Sequence, residues 1–266
     1  MYDTTIGSRF TNPRFAKLYG DHSMPQTGDN VAREFGITRE QSDEFALAYG
    51  QKKYAKAEAE GFYKGEILPI ALPAKKKDAQ PEVVSVDEHP RRDTTMEALA
   101  KLKPLFEGGV VTAGNASGVN DGAAALVVAS RRWGEKKGKK PLARILAAAS
   151  AAVEPRIMGV GPAYAIPKAL ERAGLTLNDM DIIEINEAFA SQVLGCLKLM
   201  GVDFKDPRVN PNGGAIAIGH PLGCSGARLA LTVSRQLQET GARYAAVSLC
   251  IGVGQGLAVI LERVDS

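Results

Sequence analysis

From Pro141 onward, strand-length apolar runs and helix-length amphipathic runs take turns, and three of the helical runs end at a glycine. Residues 143–149 read as strand, 162–173 as helix stopped by Gly174, and 181–185 as strand. Residues 187–200 then read as helix before Gly201, and 225–240 as helix before Gly241. Glycine ends a helix because it enters the left-handed region at no steric cost. Such alternation implies an α/β layer architecture. The tail differs: 245–251 and 257–262 read as two strands across Gly252-Val-Gly-Gln-Gly256, an antiparallel hairpin that fixes Cys250 beside its loop.

The first 117 residues lack this alternation and read as an insertion or lid. Thr38 and Gln41 form a capping-box pattern, and Phe45, Ala46, Tyr49, Tyr54 and Ala55 continue a helical apolar face to about Glu60. Lys52, Lys53 and Lys56 are expected on its solvated face. The lysines at 75–77 and the pair Arg91-Arg92 make short basic patches able to meet phosphate. Residues 109–112 and 123–129 read as strands separated by the turn-rich 114–122, and 135–140 as an exposed connector.

With 266 residues, 45% of them hydrophobic, the chain can bury one large core or two smaller ones. A net charge of +3 is too mild to argue for nucleic acid, though it suits an anionic small ligand. No window approaches a membrane span, and the first ten residues lack a secretory apolar core, so a cytoplasmic protein is expected. Cys196, Cys224 and Cys250 fit reduced thiols, and the scattered His22, His89 and His220 argue against a metal site.

Chemistry concentrates in the C-terminal part. His220 lies within a glycine-rich stretch, 210–228, and is the side chain whose ordinary pKa suits proton transfer near neutrality. Asn186, His220 and Cys250 each follow an apolar segment (182–185, 215–218 and 245–249), and strand ends of this kind line the ligand-binding edge of a parallel sheet. An amide, an imidazole and a thiol converging there suggest acyl transfer. The same trio also reads as a cysteine hydrolase. Cys196 reads as a packed core thiol, and Cys224 as packing against a turn. Gly252-Val-Gly-Gln-Gly256 leads into a strand rather than a helix, which excludes a dinucleotide fingerprint.

Asn186-Glu-Ala-Phe-Ala190, Gly219-His220-Pro221, Cys250-Ile-Gly252 and Thr112-Ala-Gly-Asn-Ala-Ser117-Gly together resemble the thiolases, which make or cleave 3-oxoacyl-CoA. The resemblance implies a layered α/β/α fold with an inserted loop domain and Claisen condensation or its thiolytic reverse. Coenzyme A and acyl-CoA would be substrates, with no permanently bound cofactor. It divides the chain into a CoA-binding loop domain at 1–117, the tail of the N-terminal half at 118–140 and a complete C-terminal half at 141–266. His220 resembles the histidine that activates the nucleophilic cysteine, Cys250 the acid/base thiol, Asn186 the holder of an oxyanion-hole water, and Gly252 N–H a second oxyanion donor. Ser117 and Arg91 resemble contacts to the pantetheine and adenine ends of CoA. Met24, Phe106, Met158 and Phe189 resemble the lining of the pantetheine tunnel. Full-length thiolases form dimers or tetramers, and a homo-oligomer is the corresponding expectation.

One departure stands out. The Cys-Gly-Ser-Gly-like segment that carries the thiolase nucleophile has no counterpart here, and the first residues align with the interior of a thiolase. The expectation is a truncated N-terminal half, exposed apolar surface over 110–129, and near-zero turnover alone; a CoA-binding remnant without catalysis is the alternative. Residues 2–10 and 19–32 look most similar to thiolases acting on 3-oxoadipyl-CoA in aromatic breakdown. Ser23 stands where biosynthetic thiolases usually carry histidine.

Overall fold

In the computed structural model, residues 11–74 and 80–265 are described; segment 2–10 and the lysines at 75–77 lie outside them. Side-chain caps start the first helices. In α1 (Pro13–Tyr19) the Asn12 side chain accepts from Arg14 N–H, and α2 (Met24–Phe35) opens with a Ser23/Gln26 capping box. The expected box opens α3 (Arg39–Phe45): the Thr38 hydroxyl accepts from Gln41 N–H and the Gln41 carbonyl from Thr38 N–H. The chain stays helical through a π-helical stretch, Ala46–Lys52, into α4 (Lys53–Ala59). Phe45, Ala46 and Tyr54 are buried as their spacing requires.

Lys53 departs from the solvated-face expectation. Its ammonium donates to the Val209 carbonyl at 2.6 Å and lies 4.3 Å from the Tyr49 ring centre, so it ties the helix to the later chain. A two-residue ladder, β1 (Ile70–Ala71) with β2 (Val83–Val84), is followed by α5 (Met96–Ala100) and α6 (Arg131–Lys136).

The second half builds a four-stranded sheet. Its strands are β3 (Ala143–Ala152), β4 (Ile182–Ile185), β5 (Tyr244–Ile251) and β6 (Gln255–Arg263), in the order β3-β6-β5-β4. β6 pairs antiparallel with both β3 and β5, and β4 pairs parallel with β5. The helices are α7 (Gly161–Ala173), α8 (Ala190–Met200), the single turn α9 (Ala215–Ile218) and α10 (Leu222–Thr240). Alternate residues of the strands face opposite layers, as the two-residue period of a strand demands. Ile183, Ala246 and Ile260 share a core with Ile166 and Leu170 of α7 and Val193 of α8. Ile182, Ala245, Val247 and Leu261 share another with Leu229, Val233 and Leu237 of α10. The sheet is covered on both faces, the α/β/α layering expected.

The first half is continuous with that core: Val31, Ala32, Phe45 and Ala46 belong to the cluster around α7 and α8. Gly174, Gly201 and Gly241 end α7, α8 and α10 at left-handed φ, as the sequence predicts. Gly161 and Gly256 let α7 approach the sheet at backbone distance; a Cβ on Gly256 would overlap the Gly161 backbone.

Two expected strands are absent. Residues 109–112 and 123–129 carry no strand, although their composition favours one. A strand exists only beside a partner for its N–H and C=O groups, and none of the described strands lies alongside. The apolar exposure expected over 110–129 holds for its second part only: Val127 is 87% and Val128 74% accessible, whereas Val111 is 1% accessible and packs with Met158, Phe189 and Cys250. Residues 215–218 likewise form the helical turn α9 rather than a strand, closed by Gly219 at φ 91°. His220 therefore does not follow a strand.

Candidate functional site

β4 is buried along its whole length and delivers Asn186 into the interior at its C-terminal end. The ladder to β5 continues one step, with Asn186 N–H donating to the Ser248 carbonyl at 2.9 Å, two residues before Cys250. Glu187, also fully buried, accepts from Asn210 Nδ2 (2.8 Å) and Ile216 N–H (3.1 Å). Asn210 adopts φ 41° and brackets Ile185, accepting its N–H through Oδ1 and donating Nδ2 to its carbonyl. These bonds hold the glycine-rich loop against the strand end. α8 begins only at Ala190 because the preceding backbone pairs with segment 115–117: Ser117 N–H donates to Ala188 O, and Phe189, extended, bridges Ala116.

The loop then presents His220. Gly219 must be glycine twice over: its φ is left-handed, and a Cβ would collide with the Asn120 side chain. His220 N–H donates to Gly118 O (3.1 Å) and Asn120 Oδ1 (3.3 Å), so the turn-rich 114–122 segment clasps the histidine. On the ring, Nε2 lies 3.3 Å from Asn186 Nδ2, and Nδ1 lies 2.6 Å from Ser225 Oγ in the first turn of α10. Asn186 Oδ1 is buried without a hydrogen-bond partner among the described residues. Burial, then the nearby Arg228 charge, lowers the His220 pKa, leaving a neutral imidazole able to accept a proton.

Cys250 is buried in β5 opposite Gly256, one residue before the strand's C-terminal end, and clusters with Met158, Phe189, Val111 and Ala188. Burial pushes its thiol up to about 12. At neutral pH it is a proton donor rather than a thiolate. Cys196 on α8, fully buried and also pushed up to about 12, donates its S–H to Gly159 O. Burial raises Cys224 as well. All three thiols are free.

Among the other expected residues, Gly252 opens the β5–β6 turn and its carbonyl accepts from Gln255 Nε2. Ser117 donates from both N–H and Oγ to the Ala188 carbonyl, which joins it to the 186–190 segment. Arg91 is exposed and reaches the site through its backbone: its N–H donates to Gln51, whose amide donates to Ile216 O. Met24 and Phe106 are half-exposed and outside the Cys250 cluster that takes in Met158 and Phe189. No role is expected from sequence for Asn120, Ser225, Glu187 or Asn210, although the last three lie in the motif 186–190 or the glycine-rich stretch 210–228, nor for Glu184, an acid inside an otherwise apolar strand. It is fully buried, paired with Arg228 at 3.4 Å, and desolvation lifts its carboxyl to about 8.

Comparison with known proteins fits this geometry. Residues 3–132 match the family described as "Thiolase, N-terminal domain" and residues 139–263 the one described as "Thiolase, C-terminal domain". The chain belongs to the thiolase family. It is 53% identical over 263 residues to "Beta-ketoadipyl-CoA thiolase" of Acinetobacter baylyi, covering 98% of this chain and 65% of the relative. It is 55% identical to the Escherichia coli "3-oxoadipyl-CoA/3-oxo-5,6-dehydrosuberyl-CoA thiolase", covering 99% and 65%. The Bacillus anthracis acetyl-CoA acetyltransferase structure superposes with TM-score 0.88 at 40% identity, covering 99% of this chain and 68% of that one. Human mitochondrial 3-ketoacyl-CoA thiolase in complex with CoA gives TM-score 0.82 at 41% identity, with 91% and 59% covered. The chain thus spans about 65% of the length of these curated relatives. Membership of this family makes the layered fold a thiolase fold.

Proposed function

We propose that this thiolase chain carries the histidine, asparagine and acid/base thiol of a site for acyl transfer between 3-oxoacyl-CoA and CoA. The favoured substrate is a 3-oxoadipyl-CoA-like thioester handled in the degradative direction. The carrying observation is the 3.3 Å contact between Asn186 Nδ2 and the neutral His220 Nε2 at the end of a buried strand. The names of the relatives support the substrate class.

His220 Nε2 accepts the proton of an attacking thiol, which makes that thiol a nucleophile. When the carbon–carbon bond of the 3-oxo thioester breaks, its electron pair falls to the departing acetyl-CoA carbon. Cys250 S–H, kept protonated by burial, delivers the proton there. The Cys250 thiolate so formed then takes the proton of the incoming CoA thiol, whose sulfur attacks the acyl thioester; the first thiol leaves as a thiolate and takes back its proton from His220. Asn186 Oδ1 accepts from a water that faces the thioester oxygen, and Gly252 N–H donates to the second oxyanion. Ser117 and Arg91 meet CoA, with Met24, Phe106, Met158 and Phe189 along its pantetheine arm. The loop region 1–117 binds CoA, 118–140 closes the N-terminal half and 141–266 forms the C-terminal half. In its full-length form the protein assembles as a homodimer or homotetramer in the cytoplasm.

The acyl-enzyme step needs a thiolate, and the burial and raised pKa of Cys196, Cys224 and Cys250 disfavour all three. The same burial disfavours a cysteine hydrolase. Thiolysis of acetoacetyl-CoA by the purified chain, with calorimetry of CoA binding, tests the reading. Binding with near-zero turnover is expected. Robust turnover abolished by Cys250→Ala would overturn the statement about the nucleophile, and absence of CoA binding would overturn the site.

A further inference from the structure

We infer that Ser225 is a positioning residue for His220: its hydroxyl fixes the imidazole as the Nδ1–H tautomer and leaves the Nε2 lone pair turned toward Asn186. This rests on the proposed role of His220 as proton acceptor, but it is read out without any acyl transfer.

The assignment follows from counting protons among the partners. Ser225 is buried, and its Oγ has two neighbours, His220 Nδ1 at 2.6 Å and the Pro221 carbonyl at 3.0 Å. The Pro221 carbonyl accepts from Cys224 N–H and Ser225 N–H, each at 2.9 Å, and we assign it the hydroxyl proton as well, in the back-bond to residue i−4 that serines make in helices. Toward His220 the hydroxyl then offers a lone pair, and Nδ1 must carry the hydrogen. The opposite side of the ring agrees, because an amide nitrogen only donates and Asn186 Nδ2 faces Nε2 at 3.3 Å.

The arrangement also suits the cation. After Nε2 takes up a proton, the Nδ1–H···Oγ bond persists and becomes charge-assisted, so the ring need not reorient between the two states. Placement comes from the fold: Pro221 is the N-cap of α10, and Ser225 falls one turn later, directly under the ring. The competing arrangement turns the hydroxyl proton toward Nδ1, puts hydrogen on Nε2 and swings the Asn186 amide to offer Oδ1. Such a ring has no lone pair with which to accept a proton at Nε2.

Long-range proton–nitrogen spectra of the ¹⁵N-labelled chain read the tautomer directly, at a pH about 1.5 units above the ordinary imidazole value. The chain has three histidines, so His22→Asn and His89→Asn assign the His220 signals. A single Nδ1–H tautomer is expected in the unmodified chain and in Ser225→Thr, with loss of that signal in favour of Nε2–H in Ser225→Ala. An Nε2–H ring in the unmodified chain, or an unchanged tautomer in Ser225→Ala, overturns the inference. Should Ser225→Ala not fold, the unmodified and Ser225→Thr spectra decide: Nδ1–H in both supports the inference, and Nε2–H in either overturns it. Loss of CoA binding or turnover would leave these spectra unaffected, so the two readings fail separately.

Discussion

Asn186 Nδ2 and His220 Nε2 lie 3.3 Å apart although 34 residues separate them, the amide at the end of β4 and the ring at the head of α10. Their meeting places an uncharged donor against the nitrogen that must stay unprotonated. Burial and Arg228 act in the same direction, lowering the His220 pKa from its ordinary 6.5. The unfolded chain therefore binds more protons than the folded one just below pH 6.5, so this group makes stability fall as pH drops from 6.5 through the lowered folded value. An NMR titration should place the His220 midpoint below 6.5. A midpoint above it would contradict the site's electrostatics.

Glu184 behaves in the opposite sense. Its folded carboxyl is raised from 4.5 to about 8, chiefly by desolvation, so the folded chain holds a proton that the unfolded chain has released. Its contribution is present below 4.5 and is lost as pH rises toward about 8. Urea midpoints of Glu184→Gln should accordingly decline less over that range than those of the unmodified chain. Arg228→Ala, which strips the buried carboxyl of its partner, should cost about 3–5 kcal/mol when the carboxyl is ionised.

The thiols offer a direct chemical test. With Cys196 and Cys250 pushed up to about 12, their thiolate fractions near pH 8 fall about 10³-fold below that of an ordinary cysteine. Iodoacetamide should label the native chain slowly at both, and all three cysteines rapidly in urea. Fast native labelling at Cys250, read by mass spectrometry, would revive the hydrolase alternative.

Asn210 carries more than its surface-loop composition suggests. Asn210→Ala removes three hydrogen bonds, orphans the buried Ile185 N–H and places alanine at φ 41°. A loss of about 2–4 kcal/mol in urea-melt stability is expected, together with a displaced His220 resonance, since Glu187 then holds the loop by Ile216 alone.

The exposed run at 126–128 predicts behaviour in solution. Val127 and Val128 point mostly to solvent, 87% and 74% accessible. Replacing them as Val127→Glu and Val128→Lys should reduce light scattering on concentration and change the melting temperature little, because neither side chain packs. Precipitation unchanged by the pair would place the sticky surface elsewhere.

Local patterning decided much of this protein in advance. The Thr38/Gln41 cap, the glycine stops after α7, α8 and α10, and the hairpin at Gly252 act over a few residues, so a linear sequence displays them. The motifs around Asn186, His220 and Cys250 were legible for the same reason. Only tertiary structure settled what long-range partners control. Residues 123–129 have strand composition but no neighbouring strand among the described residues, so they stay irregular, and 215–218 close a helical turn on Gly214 and Ala215 whose Ile216 N–H is taken by the distant Glu187. The pairing of Glu184 with Arg228 and of Asn210 with Ile185 arises where separated segments are pressed together and lose water. There a buried polar group must find a partner or pay its desolvation, and no neighbour in sequence announces which partner that is.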